Sequence, residues 1–267
     1  MMKLTVLTEN LVNRRGMLAE HGLSVLVEAN GRKILFDTGQ SDVFLKNAHA
    51  LGISLRDVDA IVLSHGHYDH GGGLEFAIRE GLSAPVYVGK GAFEEKKCLE
   101  KDGRLRNIGI GTTVEAVETD GFREIFPEIF LMNRIPKLAG FEGVSPVFVV
   151  NRNGEIVHDE MQDEQLLLIR EGQKLHVIAG CCHVGIVSCL MYVRERFPKE
   201  RLGMVFAGMH LRSAGKERLD ATIEEIGKLN PDCLVPVHCT GIMAIARMKL
   251  AFGEKCRLAE AGKVLEA

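Results

Sequence analysis

The chain has 267 residues, 46% hydrophobic and 26% charged, and these fractions disfavour disordered, fibrous and membrane-spanning chains. Thirty-three basic residues against 36 acidic ones leave a net charge of −3, too balanced for a sequence-independent nucleic-acid binder. The longest apolar run, Val184 to Val193, is interrupted at Ser188 and falls short of the roughly 20 residues that a bilayer span needs.

Met1 to Leu7 reads as a first strand, without the long apolar stretch and cleavage site of a signal peptide. Seven cysteines form an odd set with no repeated Cys-x-x-Cys spacing, which argues against a disulfide framework and for a reducing cytoplasm. Leu23 to Glu28 and Lys33 to Phe36 flank Asn30-Gly31 as a hairpin. Asp42 to Leu51 reads as a helix, Asp59 to Leu63 as a buried strand, Gly73 to Arg79 as a helix and Val86 to Val88 as a short strand.

Residues 90–160 mix charge runs, such as Glu94 to Lys97, with glycine turns and short apolar pieces, including Val147 to Val150. Beyond them the pattern sharpens. Leu166 to Arg170 and Leu175 to Ala179 read as strands around a Glu171-Gly172 turn. Ile186 to Phe197 is a helix stopped by Pro198, and Gly203 to Ala207 is a strand. Lys216 to Leu229 aligns Leu219, Ile223, Ile226 and Leu229 on one helical stripe, and Cys233 to Val237 is a last buried strand. Strands mixed with helices and no linker-like boundary predict one α/β domain over residues 1–267.

The strongest motif is Ser64-His65-Gly66-His67-Tyr68-Asp69-His70-Gly71-Gly72-Gly73, directly after a buried strand. An extended chain leaving that strand places His65 and His67 on one side, because side chains alternate. Asp69 and His70 follow where the backbone turns, and the glycines permit tight or left-handed geometry. Imidazole nitrogen with carboxylate oxygen suits zinc, with iron or manganese as alternatives, and three protein ligands leave a fourth position open for chemistry. Gly71 to Gly73 also offer backbone donors for an anion.

Three more histidines end strands, where open α/β sheets assemble their sites: His183 after Gly180-Cys181-Cys182, His210 after Gly208-Met209, and His238 before Cys239-Thr240-Gly241. His49 and His158 read as surface residues and His176 as a strand residue. Cys182 and Cys239 read as small packing residues, and Cys181, sharing parity with His183, is the better thiolate candidate.

His65-x-His67-x-Asp69-His70, the upstream Phe36-Asp37-Thr38-Gly39, and His183 and His238 together resemble the metallo-β-lactamase superfamily. The resemblance implies an αββα sandwich of two mixed β-sheets flanked by helices, with one or two divalent metal ions at the sheet edge. His65, His67 and His183 match the ligands of a first metal; Asp69, His70 and His238 match those of a second. Asp37 matches the buried aspartate that buttresses the metal loop. Many members carry a bridging aspartate or a cysteine where this chain has Gly208-Met209-His210. A thioether cannot replace that carboxylate, so His210 either faces substrate or lends a nitrogen to the second metal.

Glu20 to Ser24, Phe36 to Ser41, Asp163-Glu164-Gln165, Gly208 to Leu211 and His238 to Gly241 resemble a narrower subgroup, named after the dihydropterin–ribofuranosylaminobenzene phosphate synthase of methanopterin biosynthesis. That implies a hydrolase-like or transferase enzyme with a small phosphorylated or pterin-type substrate and a subgroup insertion roughly within 90–160. The long gap between His70 and His183 places that stretch at the pocket wall, and composition predicts a cytoplasmic protein with no nucleic-acid or membrane partner. Asp69 and His210 are the candidate catalytic residues. His21 is expected at the pocket, and Arg14, Arg15 and Arg212 at a phosphate, through their planar forks. The alternative is a non-catalytic metal-containing ligand-binding or sensing protein. The sequence leaves the oligomeric state open.

Overall fold

Asn30 and Gly31 both take left-handed backbone, with φ of 50° and 73°, which closes the expected hairpin with the twist that its strands require. A computed structural model describes residues 1–267. The hairpin opens a seven-stranded mixed sheet built from β1 (Lys3–Thr8), β2 (Ser24–Ala29), β3 (Arg32–Phe36), β4 (Ala60–Val62), β5 (Val86–Gly89), β8 (Val117–Thr119) and β17 (Val264–Glu266). Its order is β17-β1-β2-β3-β4-β5-β8, antiparallel up to β3 and parallel beyond it.

A six-stranded mixed sheet comprises β9 (Phe122–Phe126), β10 (Ile129–Met132), β13 (Leu166–Glu171), β14 (Lys174–Ala179), β15 (Arg201–Gly208) and β16 (Cys233–Val237). Within it, β14, β15 and β16 run parallel, so their C-terminal ends reach one edge together. Period-two alternation sorts the side chains. Leu167 and Ile169 turn inward to meet Val25, Val27 and Phe36 of the first sheet. Leu166 and Leu168 turn outward, beneath helices α4 (Ile186–Arg196), α5 (Lys216–Leu229) and α6 (Ile242–Phe252). Helices α1 (Val43–Ala50), α2 (Tyr68–Gly71) and α3 (Leu74–Arg79) precede them in the chain. Of these, α1 and α3 cover the outer face of the first sheet through Phe44, Ala48, Leu74 and Ala77. Helix, sheet, sheet, helix is the expected layering. No helix is long and apolar enough to cross a membrane.

The poorly legible stretch between residues 90 and 160 is divided. Its strands β8, β9 and β10 complete the two main sheets. The remainder forms a third, antiparallel sheet of β6 (Glu95–Leu99), β7 (Leu105–Asn107), β11 (Phe148–Arg152) and β12 (Glu155–His158). Lys96, inside the charge run Glu94 to Lys97, is 1% exposed and pairs with Asp159 at 2.7 Å and Asp163 at 2.8 Å.

Of the tight and left-handed geometries expected at the glycines, the structure shows the tight one. Gly71, Gly72 and Gly73 have no left-handed backbone: φ is −63° at Gly72 and −72° at Gly73, and Gly71 lies in α2. Their role is close approach, since a Cβ on Gly73 would lie 2.1 Å from the Thr38 carbonyl oxygen. Nor are their amides free for an anion. They donate to the carbonyls of His67, Tyr68 and Gly39 respectively.

Candidate metal centre

Five strands of the two sheets end at one edge, and each hands its next residues to the same centre. Asp37 follows β3, Ser64 to His67 follow β4, Cys181 to His183 follow β14, Met209 and His210 follow β15, and His238 follows β16. Amides leaving a strand need acceptors, and here buried carboxylates supply them. Ser64 N–H donates to Asp37 Oδ1 at 2.6 Å, and Gly66 N–H to Asp163 Oδ2 at 2.8 Å. His183 N–H donates to Glu164 Oε1 at 2.7 Å, and His238 N–H to Glu9 Oε1 at 2.6 Å. Gln165 Nε2 donates to the Leu63 carbonyl at 2.8 Å. Asp163-Glu164-Gln165, singled out in the sequence without a role, therefore braces two stretches of the site, the one that leaves β4 and the one that leaves β14.

His65, His67 and His183 converge. His65 Nε2 lies 3.0 Å from His67 Nδ1 and 3.3 Å from His183 Nε2. Burial pushes the His67 pKa down to about 3 and those of His65 and His183 well below the ordinary imidazole value. All three rings are thus neutral, the form that binds a metal. Asp69, His70 and His238 form a second group. Asp69 Oδ2 is 3.3 Å from His238 Nε2 and 3.9 Å from His70 Nε2, and the two Nε2 atoms are 3.2 Å apart. Burial opposes ionisation of Asp69, but the charge of His70 and the contacts with His21 and His238 outweigh it and hold the carboxyl well below its usual range. For His70, burial alone would lower the pKa; the Asp37 and Asp69 carboxylates overcome it and raise it to about 9.

Hydrogen-bond partners fix which nitrogens face inward. Ser64 Oγ donates to Asp37 Oδ2 at 2.7 Å, so it receives from His65 Nδ1 at 2.9 Å. His70 Nδ1 donates to Asp37 Oδ2 at 2.7 Å, and His238 Nδ1 to Asn10 Oδ1 at 2.8 Å. These bonds turn each Nδ1 outward and leave Nε2 as the nitrogen at the centre; at His70 it carries a proton until a cation displaces it. The neutral rings of His65 and His183 bring their Nε2 atoms within 3.3 Å of each other, and a cation between them would hold both. Nitrogen and carboxylate donors in this arrangement fit a zinc-like divalent cation, and the residues present therefore suit the metal that the motif implies.

A cavity of about 410 Å³ opens onto both groups, lined among others by His21, Asp69, Arg106, Phe148, His210 and Arg212. His21 Nε2 is 3.2 Å from Asp69 Oδ2, so His21 lies where it was expected. Arg212 lines the cavity and has no carboxylate within ion-pair distance. Arg14 and Arg15 require correction: neither lines the cavity, and Arg14 instead donates to the Gly262 carbonyl at 3.2 Å. His210 sits beside His183, with ring centroids 4.5 Å apart, rather than with Asp69, His70 and His238. Of its two expected roles, facing substrate fits this place.

Met209 and Cys182 are buried in the outer apolar core, the latter as expected. Cys239 departs from its packing role. After β16 the chain enters a 3₁₀ turn at His238–Thr240, so strand parity no longer applies, and Cys239 lines the cavity with His210 N–H donating to its sulfur at 3.2 Å. The third sheet forms one wall through Cys98, Arg106 and Phe148, whose ring centroid lies 4.9 Å from that of His183 and 5.4 Å from that of His67. Arg106, Phe148 and Asn10 carried no sequence signal, whereas Glu164 lay in a motif without an assigned role.

Residues 18–190 match the family model described as Metallo-beta-lactamase superfamily. The chain is 31% identical, over 93% of its length and 90% of the relative's, to the 7,8-dihydropterin-6-methyl-4-(beta-D-ribofuranosyl)-aminobenzene-5'-phosphate synthase of Methanocaldococcus jannaschii. Among solved structures, a metal-dependent hydrolase of the beta-lactamase superfamily superposes with a TM-score of 0.87 at 36% identity, covering 100% of this chain and 99% of that one. The Zn(2+)-bound PqqB of Methylobacterium extorquens shares the fold, with a TM-score of 0.59 at 13% identity over 99% of this chain and 100% of that one.

Proposed function

The chain belongs to the metallo-β-lactamase superfamily, and from that premise we propose that it is a metal-dependent enzyme acting on a small phosphorylated substrate of pterin type. The observation that carries the proposal is the set of imidazole nitrogens 3.0–3.3 Å apart, gathered from distant strand ends at the floor of one cavity. His65, His67 and His183 would hold one divalent cation, zinc by donor chemistry with iron or manganese as alternatives, and Asp69, His70 and His238 a second. When bound, such a cation supplies Lewis acidity that polarises a phosphoryl or carbonyl oxygen and stabilises charge on a departing group.

The chain's own residues do the rest. Asp69, held ionised, accepts hydrogen bonds and orients what enters, and its low pKa makes it a poor proton shuttle at neutral pH. His210, partly exposed at the cavity, is the group placed to give or take a proton. Phe148 offers a flat apolar face for a ring, and Arg212 a free guanidinium fork for a phosphate. In the synthase reading, an amine of a phosphorylated aryl riboside forms the new bond to a pterin side-chain carbon as the carbon–oxygen bond to diphosphate breaks; diphosphate departs with the electron pair, and the amine proton passes to His210.

The test is to purify the protein without chelator, quantify its metal, and assay a pterin diphosphate with an aryl riboside phosphate, alongside phosphodiester and thioester substrates. Turnover that a chelator abolishes and added metal restores supports the proposal. Tight metal with no turnover on any of these would favour a ligand-binding or sensing protein instead.

A further inference from the structure

The two histidine groups share no carboxylate. Asp69 belongs to the second only, and Met209, at the strand end where a bridging acid would sit, is fully buried in the outer apolar core. The atom lying between the groups is a sulfur. Cys181 is 3% exposed, and its Sγ is 3.1 Å from His70 Nε2. Its sulfur converges, within 4.8 Å, with His65 and His70, with His183 and His210, and with His238 and Cys239. No other side chain belongs to three such groups.

Local geometry explains the placement. A Cβ on Gly180 would lie 2.1 Å from Ser64 Oγ, so the glycine brings this strand end directly against the metal loop. Cys182 then takes left-handed backbone, with φ of 48°, and turns its own side chain into the outer core. Cys181 is left facing the centre, between the ligands of the first group and those of the second.

We propose that Cys181 is a metal ligand, a thiolate standing between the two histidine groups and supplying there the anionic charge that β15 does not provide. The inference rests on the metal-centre reading above. As the sulfur–metal bond forms, the thiol proton leaves to solvent, so ligation needs no oxidant or reductant. Thiolate is a softer donor than carboxylate, and its presence biases the centre toward zinc over manganese.

Cobalt(II) tests this without reference to turnover. The protein, freed of metal and titrated with cobalt(II), is expected to show a near-ultraviolet thiolate-to-cobalt charge-transfer band. Cys181→Ser should lose that band and bind cobalt at least about tenfold more weakly. Cys239→Ser, a buried neighbour whose sulfur accepts the His210 amide, should keep it. Cobalt bound without such a band in the wild type, a band surviving Cys181→Ser, or a band lost only in Cys239→Ser would overturn the proposal while leaving the metal centre standing. Absence of cobalt binding would remove the metal centre itself, and this ligand with it. If Cys181→Ser fails to fold, cadmium NMR of the wild type decides: a resonance in the thiolate range supports the sulfur ligand, and one in the nitrogen–oxygen range overturns it.

Discussion

Asp37 has a left-handed backbone, with φ of 57°, no exposed surface, and both carboxylate oxygens committed to Ser64 and His70. Through those bonds it fixes which nitrogens of His65 and His70 face inward, on which the proposed ligation depends. Asp37→Asn is the informative change, because asparagine tolerates the same backbone while removing the charge. The variant is expected to fold yet bind zinc about 10- to 100-fold more weakly by calorimetric titration. The His70 pKa should fall from its value of about 9, since the Asp37 charge is a main support against burial. Unchanged zinc affinity would mean that the hydrogen bonds do not set the ligands.

At the scale of elements, the cavity has a floor and a wall from different sheets. Strand ends of the two main sheets supply the floor, and β6, β7 and β11 supply the wall that carries Phe148. Phe148→Ala should therefore raise KM up to about tenfold, the worth of one lost aromatic contact, and leave the metal content at its wild-type value. Metal loss in that variant would show the wall to be part of the ligand cage.

The main strands were legible because apolar side chains repeat locally: Leu166 to Ala179 announces a hairpin on its own, and the His65-x-His67-x-Asp69-His70 spacing announces its chemistry. The third sheet was not. Its strands are short, and Lys96 is buried by acids 63 and 67 positions away, so nothing nearby in the chain distinguishes it from a solvated lysine. Arg106 and Phe148 were missed for the same reason, since only the pairing of distant strands brings them to the cavity. The three glycines were marked correctly as special, but their work is tight packing, which depends on Thr38 and other residues far from them in sequence.

Over the whole molecule, the Lys96–Asp159–Asp163 triad ties the third sheet to the metal loop, because Asp163 also accepts the Gly66 amide. Lys96→Met would leave two buried carboxylates without a counter-charge and should cost about 3–5 kcal/mol at pH 7 by chemical denaturation. The two acids respond oppositely: burial, only partly offset by Lys96, raises the pKa of Asp163. Burial opposes ionisation of Asp159, but Lys96 outweighs it and lowers the pKa. In the wild type, the stability this contributes is present above the ordinary aspartate range and lost as pH falls through the lowered value. In the variant the same acids are relieved by protonation, so the difference between the two proteins should shrink on acidification. A gap that widens toward low pH would contradict this assignment of charges.

Convergence of distant strand ends on a divalent cation is most directly tested by anomalous diffraction. Crystals grown without chelator should be measured at the absorption edge of whichever metal a fluorescence scan finds. The expected map has a peak enclosed by His65, His67 and His183; a second, where present, is enclosed by Asp69, His70 and His238. A protein that turns substrate over with no peak at these residues, or with its metal held elsewhere, would contradict the metal centre and the function built on it.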